Sequence, residues 1–210
     1  MLKQISLLIL CAVAIVLFAT PVHACTSAVV SGKVTLDGRP LLWKNRDTDF
    51  MRNHVDYVKG ERYDFIAVVN SANAYLKEAW MGTNSAGFAL MNTQSYNLVD
   101  VKGDEERGAA NGRVIYRALE VCATVEDFCH FLDTISKPSD IEANFGVIDA
   151  QGGAAMFEVD YYKYVMYDAN NPKDAPYGYI ARTNFSFAGK VNDCLLYTSP
   201  SPRDVEEARM

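Results

Sequence analysis

Two helical periods set between two groups of strands constrain this chain more than any other feature. Val114, Ile115, Ala118, Leu119 and Cys122 recur at the three- and four-residue spacing of one helix face. Thr124 is a cap for a second helix, whose apolar positions are Val125, Phe128, Cys129, Leu132 and Ile135. Lys137-Pro138-Ser139 ends it. Before this pair, strands are expected at 26–30, 41–43 and 65–69, and residues 80–92, with Gly82, Gly87 and the run Phe88-Ala89-Leu90-Met91, are expected to make a tight turn and a further strand. Asp37-Gly38 is the hairpin signal between the first two. After the helices, strands are expected at 145–148, 154–159, 164–167 and 179–183, with Gly152-Gly153 turning the first pair. Residues 98–110 are polar and read as a loop or the start of a helix. Grouped strands and grouped helices imply an α+β fold, with helices packed on antiparallel sheets.

The amino terminus reads as an export signal. Lys3 precedes an apolar run from Ile5 to Phe18, and Val22-His23-Ala24 places small residues at −3 and −1 of a cleavage point. Pro21 and His23 end the run short of the roughly 20 apolar residues a membrane span needs. Cutting after Ala24 makes Cys25 the first residue of a 186-residue product, enough for one domain with a core. No later segment is long and apolar enough to span a membrane. Residues 1–24 carry one charged side chain, Lys3, so their removal takes the net charge from −6 to −7. That balance argues against nucleic acid as a partner. With 11% aromatic and 22% charged residues the chain is an ordinary globular one. At the other end the composition changes at Cys194. The run from Cys194 to Asp204 has no helix or strand period and resembles translated sequencing-adaptor sequence. Residues 194–210 are therefore expected to be a non-native tail, with the natural sequence diverging near Asp193 and a carboxy-terminal portion missing.

Cys25 at a freed terminus would carry both a thiol and an α-amine. An α-amine with a pKa of about 7.7–8.0 is a suitable base for a thiol nucleophile. The same position also fits a lipidated cysteine. Cys122 and Cys129 are expected to be core thiols, and no CxxC pair or Cys/His cluster with zinc spacing is present.

Cys25-Thr26, Lys44-Asn45-Arg46-Asp47 after a hairpin, Asn84-Ser85-Ala86-Gly87-Phe88-Ala89-Leu90-Met91-Asn92, and Thr183-Asn184 occur in that order. In these segments residues 25–193 resemble the choloylglycine hydrolase and penicillin acyltransferase-like group of N-terminal-nucleophile (Ntn) hydrolases. The resemblance implies a four-layer αββα sandwich, here incomplete at its carboxy terminus, and cleavage of linear amide C–N bonds in small molecules through a thioester on Cys25. Water or another amine would resolve that thioester, and neither metal nor organic cofactor is implied. Asp47 matches the aspartate that holds the terminal amine. Asn92 and Asn184 match the oxyanion-hole positions, where a preorganised N–H donor is worth roughly 3–4 kcal/mol. The family often carries arginine at the position of Lys44, whereas this chain has its arginine at Arg46. Residues 44 and 46 share one face of a strand, so either supplies the cation that favours a thiolate. The family's further arginine, downstream of Asn184, has no match, and Arg182 lies too close to Asn184 to replace it.

Substrates compatible with the resemblance are conjugated bile salts, N-acyl amino acids or amines, and β-lactam side-chain amides. Tyr161-Tyr162-Lys163-Tyr164 is a candidate lining for an apolar acyl pocket, with sheet packing as its ordinary role. A papain-like reading fails for want of a histidine in a motif: His54 lies in a polar segment and His130 in a helix. The serious rival is a lipid-anchored binding protein at the cell surface or in the periplasm, with Cys25 acylated.

Overall fold

The structure is a computed structural model that describes residues 25–72, 74–99 and 108–190. The export segment, residues 194–210 and most of the polar stretch at 98–110 lie outside the described residues. Ten strands form two antiparallel sheets. The smaller sheet joins β1 (Thr26–Val30), β2 (Leu41–Asn45) and β10 (Tyr179–Arg182) in the order β10-β1-β2. The larger runs in sequence order through β3 (Asn53–Val58), β4 (Phe65–Asn70), β5 (Met81–Asn84), β6 (Ala89–Gln94), β7 (Ala143–Ile148), β8 (Ala154–Val159) and β9 (Tyr164–Asp168). Helices α1 (Asn111–Val121) and α2 (Val125–Thr134) cross over between β6 and β7.

The expected strands and helices are observed in the expected order, joined by β3 and by β5, which leads into the glycine turn. The helix faces named above are the buried ones: Val114, Ile115, Ala118 and Leu119 of α1, and Phe128 and Leu132 of α2. Thr124 caps α2 in a reciprocal box with Asp127, whose backbone N–H donates to Thr124 Oγ1 at 3.0 Å and whose Oδ2 accepts from Thr124 N at 3.1 Å. Two details differ. The segment around His54 is strand β3, an edge strand paired to β4 through Val55–Val68 and Tyr57–Ile66. Its single apolar alternation is too short to separate an edge strand from a polar loop. The β1–β2 connection is also longer than a two-residue turn. It carries a 3₁₀ turn at Gly32–Val34 before Gly38 takes a left-handed φ of 75°.

Alternation along the large sheet builds two cores. Phe65, Ala67, Leu90, Phe145, Val147 and Phe157 point to the helices, where Phe128 meets Phe145 and Phe157 edge to face at 5.8 and 5.1 Å. Met91 and Met156 point the other way, to Val29, Leu42 and Ile180 of the small sheet. Three layers of the expected sandwich are thus present among the described residues: helices, large sheet, small sheet. The outer face of the small sheet shows Leu41 and Trp43 each 53% exposed, and no described helix covers it. Cys122 is buried and Cys129 half-buried, both as free thiols, in keeping with the expectation of core cysteines.

Gly146 of β7 sets the distance between the two sheets. A Cβ there would lie 2.2 Å from Met91 Cε, 2.9 Å from Val29 Cγ2 and 3.0 Å from Leu42 Cδ1. The small sheet rests directly on this bare backbone. Gly146→Val is expected to lower stability by about 1–3 kcal/mol through overpacking, measured by urea unfolding.

Candidate active site

The small sheet brings the start of the described chain to its partners. β1 lies between β2 and β10, pairing Thr26 with Asn45 and Ser27 with both Lys44 and Arg182. Extending the β1–β2 register by one residue sets Cys25 beside Arg46, and extending the β1–β10 register by two sets it toward the Thr183-Asn184 bend. The Cys25 thiol donates to the Asp47 carbonyl at 3.4 Å. Residues 44–47 and Cys25, matched from sequence alone, are therefore neighbours in space.

Both candidate cations turn toward the thiol, and they have different partners. Lys44 Nζ donates to the Trp80 carbonyl at 3.0 Å and to Asn92 Oδ1 at 3.1 Å. Burial pushes its ammonium down to about 8; negative charge on Cys25 would raise it and the Arg46 charge lowers it. Arg46 spans from β2 to the β3–β4 edge. Its Nη2 donates to Asn70 Oδ1 at 2.8 Å, and its Nη1 to Asn53 Oδ1. Asn53 and Asn70 are cross-strand partners, so their amide oxygens meet the guanidinium fork together. The guanidinium also lies 5.1 Å over the Trp80 ring. Burial lowers the Arg46 pKa and negative charge on Cys25 opposes that, while an arginine remains charged throughout.

The two asparagines differ in what their amides are doing. Asn92 is 3% exposed, and its Oδ1 accepts from Lys44. Asn184 is 2% exposed; its Nδ2 donates to the Gln94 carbonyl at 2.9 Å, and its Oδ1 is buried without a hydrogen-bond donor. Trp80 Nε1 is the other buried polar atom without a partner among the described residues.

The loop carrying Asn184 is anchored by a buried ion pair. Arg182 Nε lies 2.5 Å from Glu158 Oε1, and both side chains are buried. The same carboxylate accepts from the N–H groups of Phe187 at 2.9 Å and Ala188 at 2.7 Å. Asn144 Nδ2 and Thr93 Oγ1 both donate to the Thr183 carbonyl. Arg182 is thus committed to Glu158, away from any role at the thiol.

An apolar groove of about 410 Å³ opens between β2 and β3–β5, lined by Leu42, Val55, Ile66, Val68, Met81 and Ile148. Leu42 lies two residues before Lys44 on the same face of β2, and Met81 follows Trp80. The tyrosine segment lies elsewhere. Tyr164 packs on Phe157 at 5.8 Å and Tyr162 is 68% exposed, on β9 or beside it, at the opposite edge of the large sheet. Packing against the sheet and the helix layer is its role, and it does not line the groove. His54 lies on β3 with Nδ1 3.0 Å from Ser71 Oγ, and His130 pairs on the surface with Glu126 at 3.8 Å. Trp80, Asn53 and Asn70 were not foreseen, because a lone tryptophan and two strand-end asparagines carry no motif. Among the described residues no group of His, Cys, Asp or Glu side chains has the arrangement of a metal site, and no helix is long and apolar enough to cross a membrane.

The model of one protein family, acyl-coenzyme A:6-aminopenicillanic acid acyl-transferase, matches residues 35–205. The chain belongs to this family. Its fold is also met in solved structures of low sequence identity. An N-acylethanolamine-hydrolyzing acid amidase ortholog from Caenorhabditis elegans superimposes with a TM-score of 0.56 at 14% identity, covering 77% of this chain and 70% of that one. A variant of the conjugated bile acid hydrolase from Clostridium perfringens superimposes with a TM-score of 0.52 at 15% identity, covering 69% of this chain and 51% of that one. The acyl-transferase family chain thus spans about half the length of the bile acid hydrolase. No curated protein matches it in sequence.

Two outcomes test the site's geometry. Burial pushes the Cys122 thiol up to about 12, so iodoacetamide at pH 8 is expected to alkylate Cys25 in the folded protein and reach Cys122 only after unfolding, read by peptide mass. Glu158→Ala leaves Arg182 buried and unpaired, and is expected to cost about 3–5 kcal/mol in denaturant unfolding.

Proposed function

We propose that the protein is an exported cysteine amidohydrolase of the Ntn type, acting on linear amide C–N bonds of small molecules. The supporting observation is the Cys25 thiol at 3.4 Å from the Asp47 carbonyl, flanked by Lys44 and Arg46. Family membership supports the same reading. Removal of residues 1–24 frees the Cys25 α-amine in the periplasm or outside the cell, and the Asp47 carboxylate orients it.

The amine takes the thiol proton as Sγ attacks the amide carbon. An S–C bond forms and the carbonyl electrons move onto oxygen, where asparagine N–H donors meet the oxyanion. As the C–N bond breaks, the ammonium returns its proton to the leaving amine, and a thioester remains on Cys25. Water, activated by the same amine, adds to the thioester, and the acid and free thiol are released. A second amine in place of water gives acyl transfer. Lys44 and Arg46 lie close enough to Cys25 for their charges to interact with negative charge on the sulfur.

The apolar groove beside Leu42 and Met81 suits the acyl side of the substrate. The solved relatives act, by their names, on conjugated bile acids and N-acylethanolamines. Candidate substrates for this chain are therefore bile-salt conjugates, N-acyl amino acids or amines, and β-lactam side-chain amides.

The product exported from the natural gene is expected to begin with an unmodified Cys25, read by intact mass and terminal sequencing. A diacylglyceryl or N-acylated Cys25 would remove the base and support a membrane-anchored binding protein instead. Cys25→Ala is expected to reduce turnover by at least about 10³-fold, since no other group supplies the nucleophile. Wild-type rates in that variant would sink the thioester mechanism.

A further inference from the structure

We propose that Lys44 is a positioning residue, which holds the Asn92 side-chain oxygen so that Asn92 Nδ2 is the amide donor left for the oxyanion. This rests on the amidohydrolase reading above and assigns unequal roles to the two asparagines.

An ammonium has only donors, so the atom of Asn92 that meets Lys44 Nζ must be the amide oxygen. That contact fixes which way the amide faces. Lys44 is itself fixed, because the Trp80 carbonyl accepts from the same Nζ at 3.0 Å. Trp80 is held in turn by its N–H, which donates to the Val68 carbonyl at 3.0 Å. No hydrogen bond from Asn92 Nδ2 to a described residue is present, and the buried atoms without partners are Trp80 Nε1 and Asn184 Oδ1 alone among the described residues, so this nitrogen keeps access to solvent although the residue as a whole is 3% exposed. An amide with its oxygen held and its nitrogen open to the site is prepared for a ligand oxygen. Asn184 is the converse case. Its Nδ2 is already used by the Gln94 carbonyl, and its unpartnered atom is an acceptor. A positive charge on the amide oxygen also draws electron density from the N–H group and strengthens it as a donor.

The device is sensitive to pH. The charged and titratable groups acting on Lys44 are the Cys25 thiol, just before β1, and Arg46, just past the end of β2; Asp47 follows Arg46 with its carbonyl at the thiol, while Arg182 of β10, across Ser27, is neutralised by Glu158 of β8. With its pKa pushed down to about 8, Lys44 is charged below that pH and loses its charge as pH rises through it. Activity therefore climbs as the α-amine becomes a free base, then falls as the ammonium is lost. An arginine at this position would keep its charge, and the fall would move beyond the measured range.

The test uses the mature full-length enzyme with an amide substrate from pH 6 to 10, in Lys44→Met and Lys44→Arg. Lys44→Met is expected to lower kcat by about 10–100-fold with KM little changed, since the loss is of transition-state stabilisation. Its affinity for an aldehyde analogue of the acyl group, which forms a thiohemiacetal oxyanion on Cys25, is expected to fall by a similar factor. Protection of Cys122 from iodoacetamide while Cys25 is alkylated, which needs no oxyanion donor, serves as the check that the variant is folded. Lys44→Arg is expected to recover most of kcat and to abolish the descending limb near pH 8. The proposal is overturned by wild-type kcat and aldehyde affinity in Lys44→Met, or by an unchanged descending limb in Lys44→Arg. Failure of the amidohydrolase reading is a separate result, seen as turnover that survives Cys25→Ala.

Discussion

The arrangement depends on β1 lying between β2 and β10. That pairing turns two points remote in sequence into the flanks of Cys25: residues 44–47 on one side and the 183–184 bend on the other. The close approach of the small sheet to the large one at Gly146 adds a third direction, since β5 and β6 then present Trp80 and Asn92 to Lys44. Hydrogen-bonded strands are among the stiffer supports a protein can offer, and a site built at their ends is held more firmly than one on loops alone.

Charge is arranged so that each cation near the thiol has a specific set of acceptors. Arg46 is braced by Asn53, Asn70 and the face of Trp80, and Lys44 by Trp80 and Asn92. None of these partners is anionic, so neither cation is neutralised by them and both project positive potential at Cys25. Arg182 is the contrast. Its charge is satisfied by Glu158, whose second duty is to hold the backbone of Phe187 and Ala188 behind Asn184. One buried ion pair thus positions a loop, while the two cations beside Cys25 are held by neutral acceptors.

Much of the fold was legible because helices and buried strands declare themselves by period. The α1 and α2 faces, the Thr124 cap and eight of the ten described strands follow from apolar spacing and turn residues. Edge strand β3 was not legible: with one face open to solvent, its pattern resembles a polar loop. Cys25, Lys44, Arg46, Asp47, Asn92 and Asn184 could be singled out by matched motifs, but their division of labour could not. An asparagine in a motif has both a donor and an acceptor, and only its neighbours decide which is spent.

The sequence by itself determined most of the element order and the helix faces, because these depend on local periodicity, and its resemblance to a known family singled out the candidate site residues. The tertiary structure decided which of those side chains meet. It selected Trp80 as the shared contact of Lys44 and Arg46, bound Asn184 to Gln94, left Asn92 Nδ2 unspent and moved the tyrosine segment to the far sheet edge. Those outcomes follow from strand register and from the separation of two stacked sheets, which are set by packing between residues far apart in the chain.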